Sequence, residues 1–382
     1  MAMSSFDNRT LFQPLQLAPG ITLRNRVVMS PMTTWSGTDH LEISVEEEAY
    51  YRRRVQGVGL VVSGCGQVTA NGIGFTHEFS AADDSFTPSL KRLADAARSG
   101  GAPAVLQLFH AGNKAIPELV PGGDVVSASA VLTKATPFVA PLTPRALSGD
   151  EVLQMIKAFG DAARRGIEAG FDGIEIHGAH GFLLQNFLSP ATNTRTDEWG
   201  GSLENRLRFP LAVVAEVKRV IAEHADRPFA LGVRLSPEEP GDDGYRIEQT
   251  LTLVDRLLEL GVDYLHASLA NLLTDRPIDD QDGPSIIARI VERVGQRVPV
   301  LAAGGIVTPE QASEALATGL SLVAIGRGLI INPDWVSLVQ EGQPVETALD
   351  PAKVAALAIP PKLWGIIEGF QGWIPLKQQG AQ

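Results

Sequence analysis

Eight short runs of β-branched and aliphatic residues recur along the chain, each followed by a segment of helical period. They are Arg26–Ser30, Leu60–Gly64, Ala104–Leu108, Gly173–His177, Ala230–Leu235, Tyr264–Ser268, Pro299–Ala303 and Leu322–Gly326. A strand that feeds a helix eight times in succession predicts an α/β fold, a closed (β/α)8 TIM barrel of parallel strands. A doubly wound open sheet is the rival, since strands followed by helices suit both. The helices carry their own end signals. Ser148 and Glu151 stand in capping-box spacing before a segment that stops at Gly170, and Thr308, Pro309 and Gln311 open another that stops at Gly319.

At 382 residues the length allows two or three domains, but large α/β barrels routinely run this long as one. The chain therefore reads as one domain over residues 1–382, with a C-terminal tail from 346 to 382. Before the first run, LQLAPGITL at Leu15–Leu23 alternates around Pro-Gly and predicts a β-hairpin that plugs the barrel's bottom. Two connections are long: Phe109–Leu147 after strand three and His180–Asn205 after strand four. Loops of that length usually carry function or short elements of their own. The tail contains LAIPPKLWGIIEGFQGWIP. Its Pro and Trp content suits a segment packed on the barrel or, in a homo-oligomer, on a partner subunit.

A formal net charge of −12 argues against nucleic acid or an anionic membrane as partner, so any phosphate-bearing ligand needs a local cationic pocket. No run is long enough to span a bilayer. The opening MAMSSFDNRTLFQP has neither a basic start followed by an apolar core nor an Arg-rich amphipathic pattern, and a cytoplasmic setting is expected. The single cysteine, Cys65, leaves no intramolecular disulfide and no multi-cysteine metal cluster.

In such barrels the chemistry sits at the C-terminal ends of the strands. Strand one ends in Ser30, Pro31, Met32 and Thr33, strand two in Gly64 and Cys65, and strand three in Gln107 with His110 just after. Strand four ends in His177 and His180, strand five in Arg234, strand six in Ser268, strand seven in Gly304 and Gly305, strand eight in Gly326 and Arg327. Glycines after strands seven and eight let backbone N–H groups approach an anion, and Arg327 can add a charge-assisted hydrogen bond. A tight turn is the alternative for either glycine site alone; two adjacent sites and an arginine favour phosphate. An amide and a guanidinium in a barrel mouth are costly unless solvated or paired with ligand atoms. Gln107 and Arg234 together suit the polar edge of a flavin, with Arg234 stabilising negative charge on the reduced ring. The alternative for Arg234 is an ion pair with Glu175, which shares strand parity with His177 and reads as an inward core group.

The pair His177 and His180 admits several chemistries. A metal site needs a third ligand, and His110 and His266 show no ligand-like pairing with it. No serine or cysteine stands in a nucleophile-elbow context, and no lysine falls at a strand end for Schiff-base chemistry. Two imidazoles donating N–H to one oxygen would stabilise an enolate formed when a β-carbon is attacked. Hydrogen bonding within the turn is the other reading of the pair.

The stretches NRVVMSPMTTWS, LQLFHAGNKA, GFDGIEIHGAHGFLLQNFLSPATNTRTDEWGGSLENRLRF, GVRLSP and VAIGRGLIINPDW occur in this order over roughly residues 20–335. Together they resemble the Old Yellow Enzyme family of NADH:flavin oxidoreductases and ene-reductases. The resemblance implies FMN held noncovalently in a TIM barrel and a ping-pong cycle. NADH or NADPH reduces the flavin, which passes hydride from N5 to an α,β-unsaturated carbonyl compound or another acceptor such as a quinone. It further implies that Ser30, Pro31, Met32 and Thr33 lie along the flavin, with Thr33 reaching O4 and Gly64 backing the ring. Gln107 and Arg234 would bind the polar edge, Gly304, Gly305, Gly326 and Arg327 the phosphate, and His177 and His180 the substrate carbonyl oxygen.

Two departures from the family pattern stand out. Phe182 occupies the position where relatives commonly carry a tyrosine that protonates the α-carbon, and a phenyl ring has no proton to give. Thr33 stands where one branch has a redox-tuning cysteine, and Cys65 on the next strand is not assigned that role. Trp35 and Phe182 are placed in the substrate pocket, with packing as the other reading of Trp35. The chain thus reads as an FMN-dependent NAD(P)H oxidoreductase, a flavoprotein with a small-molecule electron acceptor and no bound metal. A non-redox phosphate-binding isomerase or lyase barrel would instead be colourless. A flavin-binding module without turnover would be yellow yet oxidise NAD(P)H with no acceptor.

Overall fold

Pro19 and Gly20 turn the chain between β1 (Leu15–Ala18) and β2 (Ile21–Leu23), which pair antiparallel as the hairpin expected there. The computed structural model describes residues 8–378. Beyond the hairpin come β3 (Val27–Met29), β4 (Leu60–Gln67) and β5 (Ala104–Phe109). A small parallel ribbon, β6 (Val126–Ser127) and β7 (Arg145–Ala146), occupies the long connection that follows. Then come β8 (Gly173–Gly178), β9 (Ala230–Leu235), β10 (Tyr264–Ser268), β11 (Val300–Ala303) and β12 (Leu322–Ile325). The eight strands other than the hairpin and ribbon close into a parallel barrel in chain order, with Ile325 opposite Met29 at the seam. This is the (β/α)8 barrel that the alternation predicts.

Helices α1 (Val45–Arg54), α2 (Thr87–Ala97) and α3 (Gly149–Glu168) follow the first three barrel strands. After β8 come a short α4 (Leu183–Leu188) and the long α5 (Leu203–His224), then α6 (Ile247–Leu260), α7 (Ile286–Val294) and α8 (Pro309–Ala317) after their strands. The last barrel strand leads into α9 (Arg327–Ile331) and α10 (Trp335–Gln340), and α11 (Pro361–Gly369) lies in the tail. Both expected capping boxes form, Ser148 with Glu151 on α3 and Thr308 with Gln311 on α8.

Alternation within the strands sorts residues between two cores. Val28, Leu60, Val62, Val105, Leu301 and Leu322 point into the barrel, where they meet Leu17, Ile21 and Leu23 of the hairpin. Tyr264 fills the middle of this inner core, and only a glycine at 232 leaves it room: a Cβ there would lie 2.1 Å from the ring. Residues of opposite parity, such as Val61, Leu106, Ile174 and Val323, face the helices in the outer core.

One strand departs from the expected pattern. β4 runs on to Gln67, past the predicted end at Gly64. Its pairing with β5 shifts between Val62 opposite Val105 and Cys65 opposite Gln107, which is three residues against two. That β-bulge reverses the inward and outward sides of everything after it.

Candidate active site

The C-terminal ends of the barrel strands surround a cavity of about 550 Å³. Ser30, Pro31, Met32, Thr33, Trp35, Gln107, His177, His180, Phe182, Arg234, Gly304, Gly305, Gly326 and Arg327 all line it. Gly64 does not. A Cβ at that position would come within 2.8 Å of the Met32 carbonyl oxygen, so the glycine lets β4 pack tightly behind the Ser30–Thr33 segment. Its N–H donates to the Tyr51 hydroxyl at 2.8 Å. The bulge brings Cys65 to the wall instead, its Sγ 3.7 Å from Thr33 Oγ1. Burial pushes that thiol's pKa up, so it stands at the wall as a neutral S–H.

Neighbouring strands place the polar side chains in register, with Gln107 opposite Glu175, His177 opposite Arg234, and Arg234 opposite His266. Glu175 is fully buried below the cavity floor and is the hub of this layer. It accepts from Gln107 Nε2 at 2.7 Å, from the Tyr264 hydroxyl at 3.0 Å and from His266 Nδ1 at 3.0 Å. Burial opposes its charge, but His266, Arg234 and Gln107 outweigh that and hold the carboxyl below the usual range. Since Gln107 Nε2 is committed to Glu175, the amide presents its carbonyl oxygen to the cavity. Arg234 makes no direct ion pair with Glu175. It donates from Nη2 to Ser268 Oγ at 3.0 Å, and its buried Nε has no partner. A buried donor left open in a cavity wall is a place for a ligand acceptor.

The histidines are held on both sides. His180 sits at φ 63°, a left-handed conformation that a non-glycine residue adopts only when its surroundings impose it. Its N–H donates to Ser236 Oγ at 3.0 Å, its carbonyl accepts from Lys114 Nζ at 2.5 Å, and its Nε2 lies 2.7 Å from Ser268 Oγ. The Ala179 N–H donates to His177 Nδ1 at 3.2 Å, which assigns the His177 proton to Nε2. The two rings stand 4.9 Å apart, edge to face. Burial, then the neighbouring positive groups including Arg234 and Lys114, keep both pKa values well below the ordinary histidine value. At neutral pH both are therefore uncharged imidazoles.

Beyond the histidines the wall is aromatic. Phe182 packs edge-on against His177 at 5.0 Å, and Trp35, held at φ 50°, packs against Phe75 and Phe138. The tail folds back onto this rim, where Trp373 meets Trp35 at 5.8 Å and Phe370 meets Phe138 at 5.3 Å. Arg327 donates to the Trp373 carbonyl at 3.0 Å while its side chain also lines the cavity. The N–H groups of Gly305 and Arg327 find no partner among the described residues. The four tyrosines lie elsewhere: Tyr51, Tyr245 and Tyr264 are hydrogen-bonded in the core, and Tyr50 packs beneath Arg54. His110 bridges the Gly112 N–H and Asn71, and His266 belongs to Glu175, so neither joins the histidine pair.

The chemistry of these donors can be tested against FMN. An acceptor amide, a buried guanidinium with an open N–H, and unpaired backbone N–H groups beside Arg327 suit a flavin edge at one end and a phosphate at the other. The residues fit the group. Fold and site together define a flavin-dependent oxidoreductase barrel. The family model described as "NADH:flavin oxidoreductase / NADH oxidase family" matches residues 10–346. The probable NADH-dependent flavin oxidoreductase YqiG of Bacillus subtilis (strain 168) is 42% identical over 371 residues, 97% of this chain and 98% of that protein. An NADH:fumarate oxidoreductase of Klebsiella pneumoniae (strain 342) is 39% identical over 94% of this chain, which spans only 39% of its length. The solved structure of an Old Yellow Enzyme homologue from Zymomonas mobilis superposes with a TM-score of 0.76 at 27% identity, over 88% of this chain and 94% of that one. The chain belongs to the NADH:flavin oxidoreductase family, of the Old Yellow Enzyme type, an enzyme that uses FMN with NAD(P)H as reductant. No helix among the described residues is long and apolar enough to cross a membrane.

Proposed function

We propose that the cavity reduces a small electron acceptor held by its carbonyl oxygen between His177 and His180. The observation that carries this reading is the pair of uncharged, fixed imidazoles facing one cavity wall. FMN, reduced by NAD(P)H, supplies the hydride at N5. His177 Nε2–H and a ring N–H of His180 donate to the acceptor oxygen and stabilise the negative charge that gathers there as hydride arrives. Being neutral donors, they polarise the carbonyl without transferring a proton to it at rest. With FMN bound, Gln107 and Arg234 would hold the flavin edge, Ser30 to Thr33 would lie along the ring, and Gly304, Gly305, Gly326 and Arg327 would hold the phosphate.

Carbon protonation divides two acceptor classes. An activated alkene needs a proton at its α-carbon, and Phe182 has none to give. No tyrosine lines the cavity to replace it. A quinone needs protons only on oxygen, where proton exchange is fast and needs no dedicated acid. The site therefore favours quinone-like acceptors over enones, with alkene reduction as the slower activity. Anaerobic mixing of the reduced enzyme with each class tests this. Phe182→Tyr should accelerate reoxidation by an enone and leave reoxidation by a quinone and the NAD(P)H half-reaction within about twofold. Equal rates for both acceptors in the unaltered protein, with no gain in the variant, would show that proton supply never limits.

A further inference from the structure

The cavity has a second chamber. A cleft of about 380 Å³ adjoins it and shares His180, Ser268, Leu269 and Ala270 with its wall. Two carboxylates, Glu238 and Asp275, line the cleft. Both are fixed from behind. Glu238 accepts the N–H of Ile247 at 3.0 Å and of Ile278 at 2.8 Å, and Asp275 accepts the Asn271 N–H at 2.9 Å. A carboxylate has about four lone-pair sites, so each keeps acceptor capacity toward the cleft. The loops that build it, residues 236–246 and 269–285, hold eight acidic residues against two arginines. Neither arginine lines the cleft. Arg246 is bound to Asp279 and to the carbonyls of Glu239 and Gly241, and Arg276 donates to the Gly283 carbonyl.

A nicotinamide that reaches the flavin leaves the rest of its dinucleotide to exit the cavity. Opposite the cleft the rim is closed by the aromatic contacts of Trp35, Phe138 and Trp373. The cleft is the polar way out. We propose that it receives the adenosine ribose of the reductant and that Glu238 and Asp275 select NADH over NADPH. A carboxylate accepts a hydrogen bond from a ribose 2′-hydroxyl, the logic by which acidic side chains choose NADH elsewhere. It repels the dianionic 2′-phosphate of NADPH, and no cation in the cleft compensates. At about 7 Å in a water-like dielectric, with physiological screening, two carboxylates disfavour a dianion by roughly fivefold or more. The inference rests on NAD(P)H as reductant and not on which acceptor follows.

The test is the reductive half-reaction of the FMN-loaded protein, mixed anaerobically with NADH or NADPH while flavin bleaching is followed. No acceptor is present, so failure of the acceptor reading leaves the outcome intact. NADH should saturate with a Kd at least about fivefold below that of NADPH, and raising ionic strength should narrow the ratio by improving NADPH. Glu238→Gln with Asp275→Asn should lower the Kd for NADPH and raise it for NADH, bringing the ratio toward one. Asp275→Asn alone should move it the same way if the double variant loses FMN. NADPH binding as tightly as NADH to the unaltered protein, or a ratio indifferent to salt and to both variants, overturns the assignment. Bleaching by neither dinucleotide overturns the reductant reading itself, and this inference with it.

Discussion

Glu175→Gln is a sharp perturbation of the cavity floor, because one carboxylate serves three donors in a site without water access. Oε1 takes the Gln107 N–H, and Oε2 takes Tyr264 and His266. A glutamine there has one carbonyl oxygen. Left with Tyr264 and His266, it turns its own NH2 toward that of Gln107, two donors facing each other. Gln107 must then flip, presenting an N–H to the cavity where it had presented an oxygen. If Gln107 holds the flavin edge as proposed, the change replaces that hydrogen bond with a mismatched donor, a cost of about 1–3 kcal/mol. FMN affinity should therefore fall by about fivefold to about 150-fold. Arg234 also loses the nearest countercharge, so the effect is not confined to Gln107. The assay is the recovery of free-flavin fluorescence on dilution, with circular dichroism confirming the fold. An unchanged FMN affinity in a folded variant would refute the claim that Glu175 sets the amide's orientation.

Other outcomes follow from buried groups and close contacts. Glu47 is buried against Thr34, its Oε1 accepting the hydroxyl at 2.6 Å, and burial raises its pKa to about 7. The folded state then holds a proton that the unfolded state releases near 4.5. Stability is fullest below that value and falls as pH rises toward and through 7, by about 3 kcal/mol in total. Glu47→Gln should flatten that slope in urea titrations between pH 5 and 8, and an unchanged slope would place the loss elsewhere. Gly232→Ala puts a Cβ into the Tyr264 ring, so it should cost about 3 kcal/mol or prevent soluble folding, whereas a variant of native stability would contradict the inner-core packing.

The barrel was legible because period and punctuation agree: eight aliphatic runs, capped helices and a Pro-Gly hairpin point to the same fold. Strand ends were legible for the same reason, since a parallel barrel sends them all to one face. The errors trace to features that pattern does not carry. Simple alternation puts Gly64 inward with Leu60 and Val62, but one extra residue in β4 turns Cys65 inward in its place. Gly64 is the local signal of that bulge, but a glycine within a strand marks a close backbone approach equally well, so the sequence does not choose between the two. Glu175 was legible as an inward core polar group, yet its role as the acceptor for Gln107, Tyr264 and His266 depends on register between three strands. Trp373 and Phe370 were legible as a packing tail, but their seat on the cavity rim beside Trp35 is a tertiary fact. The acidic cleft likewise joins two loops some thirty residues apart, and composition alone spreads that charge over the whole chain.

The central claim joins a bound flavin to a neutral histidine pair, and a single titration reads both. Visible spectra of the purified protein would be recorded as a para-substituted phenol is added. Bound FMN gives the yellow bands, and a phenolate anchored by His177 and His180 over the oxidised ring should add a long-wavelength charge-transfer band. The double variant His177→Ala with His180→Ala should stay yellow and lose that band. A long-wavelength band that persists in the double variant, or a protein that remains colourless after FMN is supplied, would contradict the assignment.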